Sequence, residues 1–322
     1  MESAIKTRNI DAQGSEKNRT GLRLRRDIRR YVPIYVILIL PVALLLIYRY
    51  LPMAVQAILA FKDYRIRDGV LGSPWVGLDN FRALVSGREF SRLLKNTVSI
   101  ALLRLFWEFW PPIILAIFLF DLKSRVYKRF CQTLVYVPHF FSWVIVYAIV
   151  FAIFANRGQL NNFRAFLGMQ RMEFLLEPAF FRPLLIGSGV WKGLGWGTII
   201  YLAALSNIDP SLFDAAAIDG AGPINRIRHV TLPGMLPVIV FLLTLNIGNL
   251  FKHTGAEQIL LFYNPATYEV GDVIDTWVYR QGLAQLKYSL GASLQFFQSV
   301  FGLILIVTVN HLSTKYAKVG IW

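Results

Sequence analysis

Lys192 lies between Trp191 and Trp196, a grouping suited to holding a carbohydrate acid. Indole faces stack on the C–H groups of sugar rings, and an ammonium attracts a carboxylate. The same three residues also fit a lysine snorkelling to the lipid interface within a tryptophan belt. A second polar group, Asn246, Asn249, Lys252, His253, Glu257 and Gln258, follows an apolar run. Polar side chains at that depth must face a cavity or another helix. Arg104 and Glu108 stand four apart inside another apolar run, close enough to pair on one helix face. Gly189, Gly193 and Gly197 recur at four-residue spacing, which lets a second backbone approach closely. Tyr136, His139 and Trp143 form a weaker group. All of this is equipment for binding and packing. Covalent chemistry is poorly provided for: His139, His229, His253, His311 and the single Cys131 are scattered. They show neither metal-ligand spacing nor a nucleophile beside a base. No G-x-x-x-x-G-K-[S/T] segment exists to cradle nucleotide phosphates.

The elements that position these groups follow from hydropathy. Of 322 residues, 55% are hydrophobic and 16% charged, and the apolar residues fall in blocks long enough to cross a bilayer, which takes about 20 residues. Six stretches qualify: about 31–51, 95–120, 131–155, 183–205, 233–251 and 291–312. The sequence therefore predicts an all-α membrane protein with six transmembrane helices, a basic tail over 1–30 and a short tail over 313–322. Residues 1–30 are too polar and long for a cleaved leader. That tail ends in Arg23, Arg25, Arg26, Arg29 and Arg30. With it and the segment 121–130 on the cytoplasmic side, the inner segments hold 17 basic residues and the outer ones 13, which predicts both termini inside. The net charge of +15 is then attraction to anionic lipid rather than to nucleic acid. The 13 basic residues of the outer segments also lean toward an anionic substrate, tempered by 10 acidic ones.

Residues 207–232, NIDPSLFDAAAIDGAGPINRIRHVTL, are too polar to span and predict two short helices with a sharp bend. Asp209 caps the first, with Pro210 at its first position. Gly220 stops it, because glycine tolerates the left-handed conformation. Gly222-Pro223 launches the second. The result is a rigid knob whose Ala215, Ala216 and Ala217 allow close approach of another protein. Asp214 and Asp219 offer acceptors there, and Arg226 and Arg228 offer cations.

This loop resembles that of the permeases of bacterial ABC importers, which carry E-A-A, three residues, G, nine residues, then I-x-L-P. Here the run is Asp214-Ala215-Ala216, Gly220 and Val230-Thr231-Leu232-Pro233 at the same spacing, with Asp for Glu and Val for Ile. FDAAAIDGAG is similar to the carbohydrate-importer, maltose-type branch. WKGLGWGTIIYLAAL and EQILLFYNPATYEVGDVIDTWVYRQGL resemble a subgroup importing alginate- or pectin-type oligosaccharides. The resemblance implies a type I ABC importer permease fold with a cytoplasmic coupling-helix loop. It also implies ATPase coupling through Asp214, Ala215, Ala216, Asp219, Gly220, Ala221, Arg226, Arg228, Leu232 and Pro233. The fifth span lines the route in such importers, so Asn246, Asn249, Lys252, His253 and Glu257 become pathway candidates, beside Trp191, Lys192 and Trp196 of the fourth span on their own chemistry. The implied partners are a second permease, usually a different chain, two ATPase subunits, an external solute-binding protein, the oligosaccharide and lipid. The chain itself would bind no cofactor and catalyse nothing; ATP and Mg would sit on the ATPase, and the site would be the bacterial cytoplasmic (inner) membrane. The rival readings are an ion-gradient-driven sugar transporter, which would more often show inverted repeats or intramembrane carboxylates for proton or sodium coupling, where Glu108 is the only acid well inside a span here, and a membrane enzyme of polysaccharide assembly, which would need a cytosolic active-site domain or an acidic metal motif.

Overall fold

The computed structural model describes residues 28, 31–250 and 254–317. Lys252, His253, the basic tail before residue 28 and the last five residues lie outside the described residues. Among the described residues there are helices and turns but no strand, only an isolated bridge between Lys62 and Trp75. The chain divides into two units, residues 1–58 and 59–322. The helix α1 (Tyr31–Leu59) makes up nearly all of the described part of the first unit.

The second unit holds α2 (Asp79–Ser86), α3 (Arg88–Asp121), α4 (Arg125–Tyr136), α5 (Trp143–Phe154) and α6 (Gln159–Phe166). After these come α7 (Pro178–Ser206), α8 (Pro210–Ile218), α9 (Pro223–Gly248), α10 (Ala256–Phe262) and α11 (Tyr288–Leu312). Among the described residues, five segments are long and apolar enough to cross a membrane: α1, α3, Trp143–Phe166, α9 and Tyr288–Lys315. The stretch expected at 183–205 forms α7, which has 29 residues but, being glycine-rich and carrying Arg182 and Lys192, is not one of the five. The stretch expected at 131–155 is not one helix. Pro138 lies in a 3₁₀ turn over Val137–Phe140, and Ser142 opens α5 by accepting the amide of Ile145. The helix α3 runs through Pro111 and Pro112 without ending. In α9 the second arm of the elbow and the fifth apolar stretch are continuous, joined by a π turn at Ile227–Thr231.

Lipid is as apolar as a leucine side chain, so helices in a bilayer are held by close fit and by hydrogen bonds. Both appear where α3 meets α7. A Cβ on Gly197 would stand 3.0 Å from the Pro112 ring, and one on Gly189 would strike the Glu108 carboxylate at 2.3 Å. Around this seam Phe109, Ile113 and Ala116 of α3 pack with Tyr201 and Leu205 of α7 and Met235 and Ile239 of α9. Hydroxyls inside the helices satisfy themselves locally: Thr198 donates to Leu194 O at 2.6 Å and Thr244 to Val240 O at 2.8 Å.

Candidate functional site

The elbow between α7 and α9 is built by short-range chemistry. The Asp209 carboxylate accepts the Ser211 amide at 2.9 Å, a bond that holds this exposed acid below the usual carboxylate range. At the far end of α8, Gly220 adopts φ +71°, and Ala221 N donates back to Ala216 O at 2.9 Å. These bonds use carbonyls that a helix end otherwise leaves open. Asp214, Ala215, Asp219, Gly220, Arg228, Leu232 and Pro233 are exposed, while Ala216 and Ala221 are half-buried. Ala215, Ala216, Asp219 and Ala221 line a hollow of about 300 Å³ with Leu212, Asn225, His229 and Val230. Ile218 and Ile224 project beside it, 86% and 79% exposed. Two large apolar side chains thus stand exposed on the knob. Arg226 differs from its neighbours: it pairs inside the chain with Asp121, the last residue of α3, at 2.9 Å.

Between α3, α7 and α9 lies a cavity of about 290 Å³, lined by Arg104, Glu108, Trp196, Tyr201, Asn246 and all three glycines of the four-residue repeat. The Arg104 guanidinium pairs with Glu108 at 3.0 Å and donates to Gln258 Oε1. Gln258 in turn donates to Leu185 O at 2.7 Å and to Ser188 Oγ at 2.9 Å. The two charges are thus neutralised within the protein, as intramembrane charge requires. Gly255, with φ +74°, lies so close to the guanidinium that a Cβ there would come within 2.4 Å of it.

Lys192 does not point into this cavity. Its ammonium donates to His139 O and Phe141 O, both at 2.6 Å, and sits 5.5 Å from the centre of the Trp143 ring. It therefore satisfies the carbonyls that the break before α5 leaves open. Trp196 stacks on His139 at 4.5 Å, and Trp191 packs near Phe141. Asn246 and Asn249 each donate to the carbonyl four residues back, at 2.8 and 2.9 Å; of the two, only Asn246 borders the cavity. Glu257 is exposed in the first turn of α10, where a helix N-terminus favours negative charge.

The end opposite the elbow is closed by residues 254–287. Asp272, fully buried, receives two bonds from Arg280 at 3.1 and 2.6 Å. Burial alone would lower the Arg280 pKa, but these bonds hold it above the ordinary value. Asn96 near the start of α3 donates to Glu269 O and Asp272 O, and Arg182 of α7 donates to Asn96 and to Val270 O. Several basic residues counted from the sequence as open to an anion are therefore committed inside the fold: Arg92, Arg182 and Arg280. The sequence offered no local sign of the Asp121–Arg226 pair. Nor did it mark Gly195, where a Cβ would meet the Val135 carbonyl oxygen at 2.1 Å.

Residues 109–316 match the family described as "Binding-protein-dependent transport system inner membrane component". Over its whole length the chain is 38% identical to Protein LplB of Bacillus subtilis, and all of that relative is covered. It is 41% identical to the polygalacturonan/rhamnogalacturonan transport system permease protein YteP of Bacillus subtilis, over 86% of each chain. Among solved structures it superposes with a TM-score of 0.85 and 37% identity on a chain of a bacterial ABC transporter involved in import of the acidic polysaccharide alginate, covering 91% of this chain and 99% of that one. A bacterial alginate ABC transporter in complex with an alginate pentasaccharide-bound periplasmic protein gives a TM-score of 0.86 at 36% identity, covering 93% and 100%.

Proposed function

The chain belongs to the family of binding-protein-dependent transport system inner membrane components, and from that premise we propose that it is the permease half of an importer of acidic oligosaccharides driven by a separate ATPase. The elbow carries this reading. It is a locally locked, largely exposed knob with a hollow of about 300 Å³ and two bare isoleucines, and it is continuous with the helix α9 that borders the inner cavity. A knob of this kind transmits a push from a partner that fits the hollow. Asp214, Ala215, Ala216, Asp219, Gly220, Ala221, Arg228, Leu232 and Pro233 make that contact, on the cytoplasmic face where both termini lie. A periplasmic or external binding protein delivers the sugar at the opposite end. ATP closes the ATPase pair and turns the helices outward; hydrolysis returns them and releases sugar inside, by alternating access. A second permease completes the pathway, along which Trp196 and Asn246 are the exposed polar or aromatic groups facing the cavity. The acidic substrate rests on the alginate and polygalacturonan relatives.

The test is a reconstituted complex of both permeases, the ATPases and the binding protein in vesicles. Uronate oligosaccharides should stimulate ATP hydrolysis and accumulate, while neutral fragments of equal length should not. Cysteines placed at Ser211 and Ala216 should cross-link to the ATPase. Labelling of those cysteines from the external face would overturn the orientation.

A further inference from the structure

We infer that the Asp121–Arg226 ion pair is the strut that carries elbow motion into α3. This rests on the coupling role proposed for the elbow. Force on the elbow reaches α9 directly, because the second arm and α9 are one helix. It reaches α3 only through side chains. Besides the packing of α9 on α3, two contacts join the elbow itself to the end of α3: Arg226 to Asp121 at 2.9 Å, and Phe213 of α8 against Phe120 with ring centres 5.7 Å apart. The Lys128 ammonium lies over the Phe120 ring, 5.7 Å from its centre.

Helix stability does not account for Asp121. It is the last residue of α3, where the negative end of the helix dipole disfavours a carboxylate. Strong pair stability does not account for the contact either. Both side chains are about a third exposed, at 35% and 34%, and pairs that wet contribute little. Arg226 also keeps its Nε buried with no hydrogen-bond partner, so the guanidinium is aimed at Asp121 at the expense of its own satisfaction. A contact that adds little stability yet fixes direction is a positioning contact. It makes α3 and α9, two of the three helices around the Asn246 cavity, move together when the elbow moves.

The experiment uses the full reconstituted complex and reads sugar moved per ATP hydrolysed. Asp121→Asn should lower that ratio several-fold while assembly, thermal midpoint and sugar-independent ATPase rate stay near wild type, and Arg226→Gln should lower the ratio as well. The exchanged pair, Asp121→Arg with Arg226→Asp, should restore the ratio. Wild-type ratios in both single variants would overturn the strut. So would single-variant losses that the exchange leaves unrestored, or losses that track a lowered thermal midpoint. Failure of the underlying reading looks different: the wild-type complex would show no sugar-stimulated hydrolysis and no elbow contact with the ATPase.

Discussion

Replacing Gly220 isolates the backbone's part in the elbow. Its φ is +71°, and a Cβ there would meet nothing within 4 Å. A side chain at this position therefore adds no clash, and the whole effect comes from the left-handed conformation. For an L-residue that conformation costs about 1–2 kcal/mol, less for Asn, which tolerates it, and most for a β-branched residue. The lost flexibility of the unfolded loop offsets about 0.4–1 kcal/mol. Gly220→Val should thus weaken the bent form by about 1 kcal/mol or more, Gly220→Ala by somewhat less, and Gly220→Asn hardly at all. If the ATPase recognises only the bent form, and the free elbow is bent only part of the time, its apparent affinity falls with the bent fraction, up to the full free energy, where about 1.4 kcal/mol is tenfold. Titrating the purified ATPase against the detergent-solubilised permease pair gives the ranking directly. Wild type and Asn should bind alike, Ala more weakly, and Val most weakly, by up to about five- to tenfold. Equal binding by Val and wild type would refute the argument. Asn binding worse than Val would show that side-chain contact, not φ, governs the site.

Three further outcomes follow from the packing and the buried charges. Gly195→Ala should lower the thermal midpoint, because a Cβ 2.1 Å from the Val135 carbonyl oxygen forces α7 off the end of α4 at a cost of about 1–3 kcal/mol; Gly193→Ala, facing open space, should be neutral or stabilising, and the reverse order would refute the seam. Glu108→Ala leaves Arg104 buried and uncompensated, at a cost of about 3 kcal/mol given that Glu108 is 32% exposed; the double change to Met at 104 and 108 should recover most of it in a thermal melt. Burial raises the Asp275 pKa against the opposing bonds from Thr254 and Gln298. An acid raised on folding contributes stability below its unfolded pKa and loses it as pH rises through the folded one. Asp275→Asn should therefore flatten the fall of the melting midpoint from mildly acidic pH upward, and an unchanged slope would remove Asp275 as its cause.

The elbow was the most readable part of the chain because its instructions are local. Asp209 caps, Pro210 starts, Gly220 reverses and Gly222-Pro223 restarts, each acting within a few residues. The break before α5 had a signal too, Pro138 and then Ser142, but hydropathy runs high on both sides and merges the two helices when it alone is followed. Lys192 was harder. Beside two tryptophans it has the look of a ligand-binding cation, and only the folded chain brings the orphaned carbonyls of His139 and Phe141 to it. Gly193 and Gly195 are likewise indistinguishable as letters, yet one faces space and the other a backbone oxygen. The charge count of the loops overstated what is free, because the partners of Arg92, Arg182 and Arg280 lie far away in sequence or are buried with them.

The π turn at Ile227–Thr231 has a bearing on which length changes this protein tolerates. An α-helix turns about 100° per residue, so deleting a residue from the middle of α9 would rotate everything before it out of phase with everything after. A π turn already holds one residue more than the α-helical turn it replaces. Removing a residue there lets the segment relax into ordinary α-helix while both flanks keep their faces. Residues 227–231 are thus the one stretch of this helix where a single-codon deletion should leave the knob and Asn246 aligned.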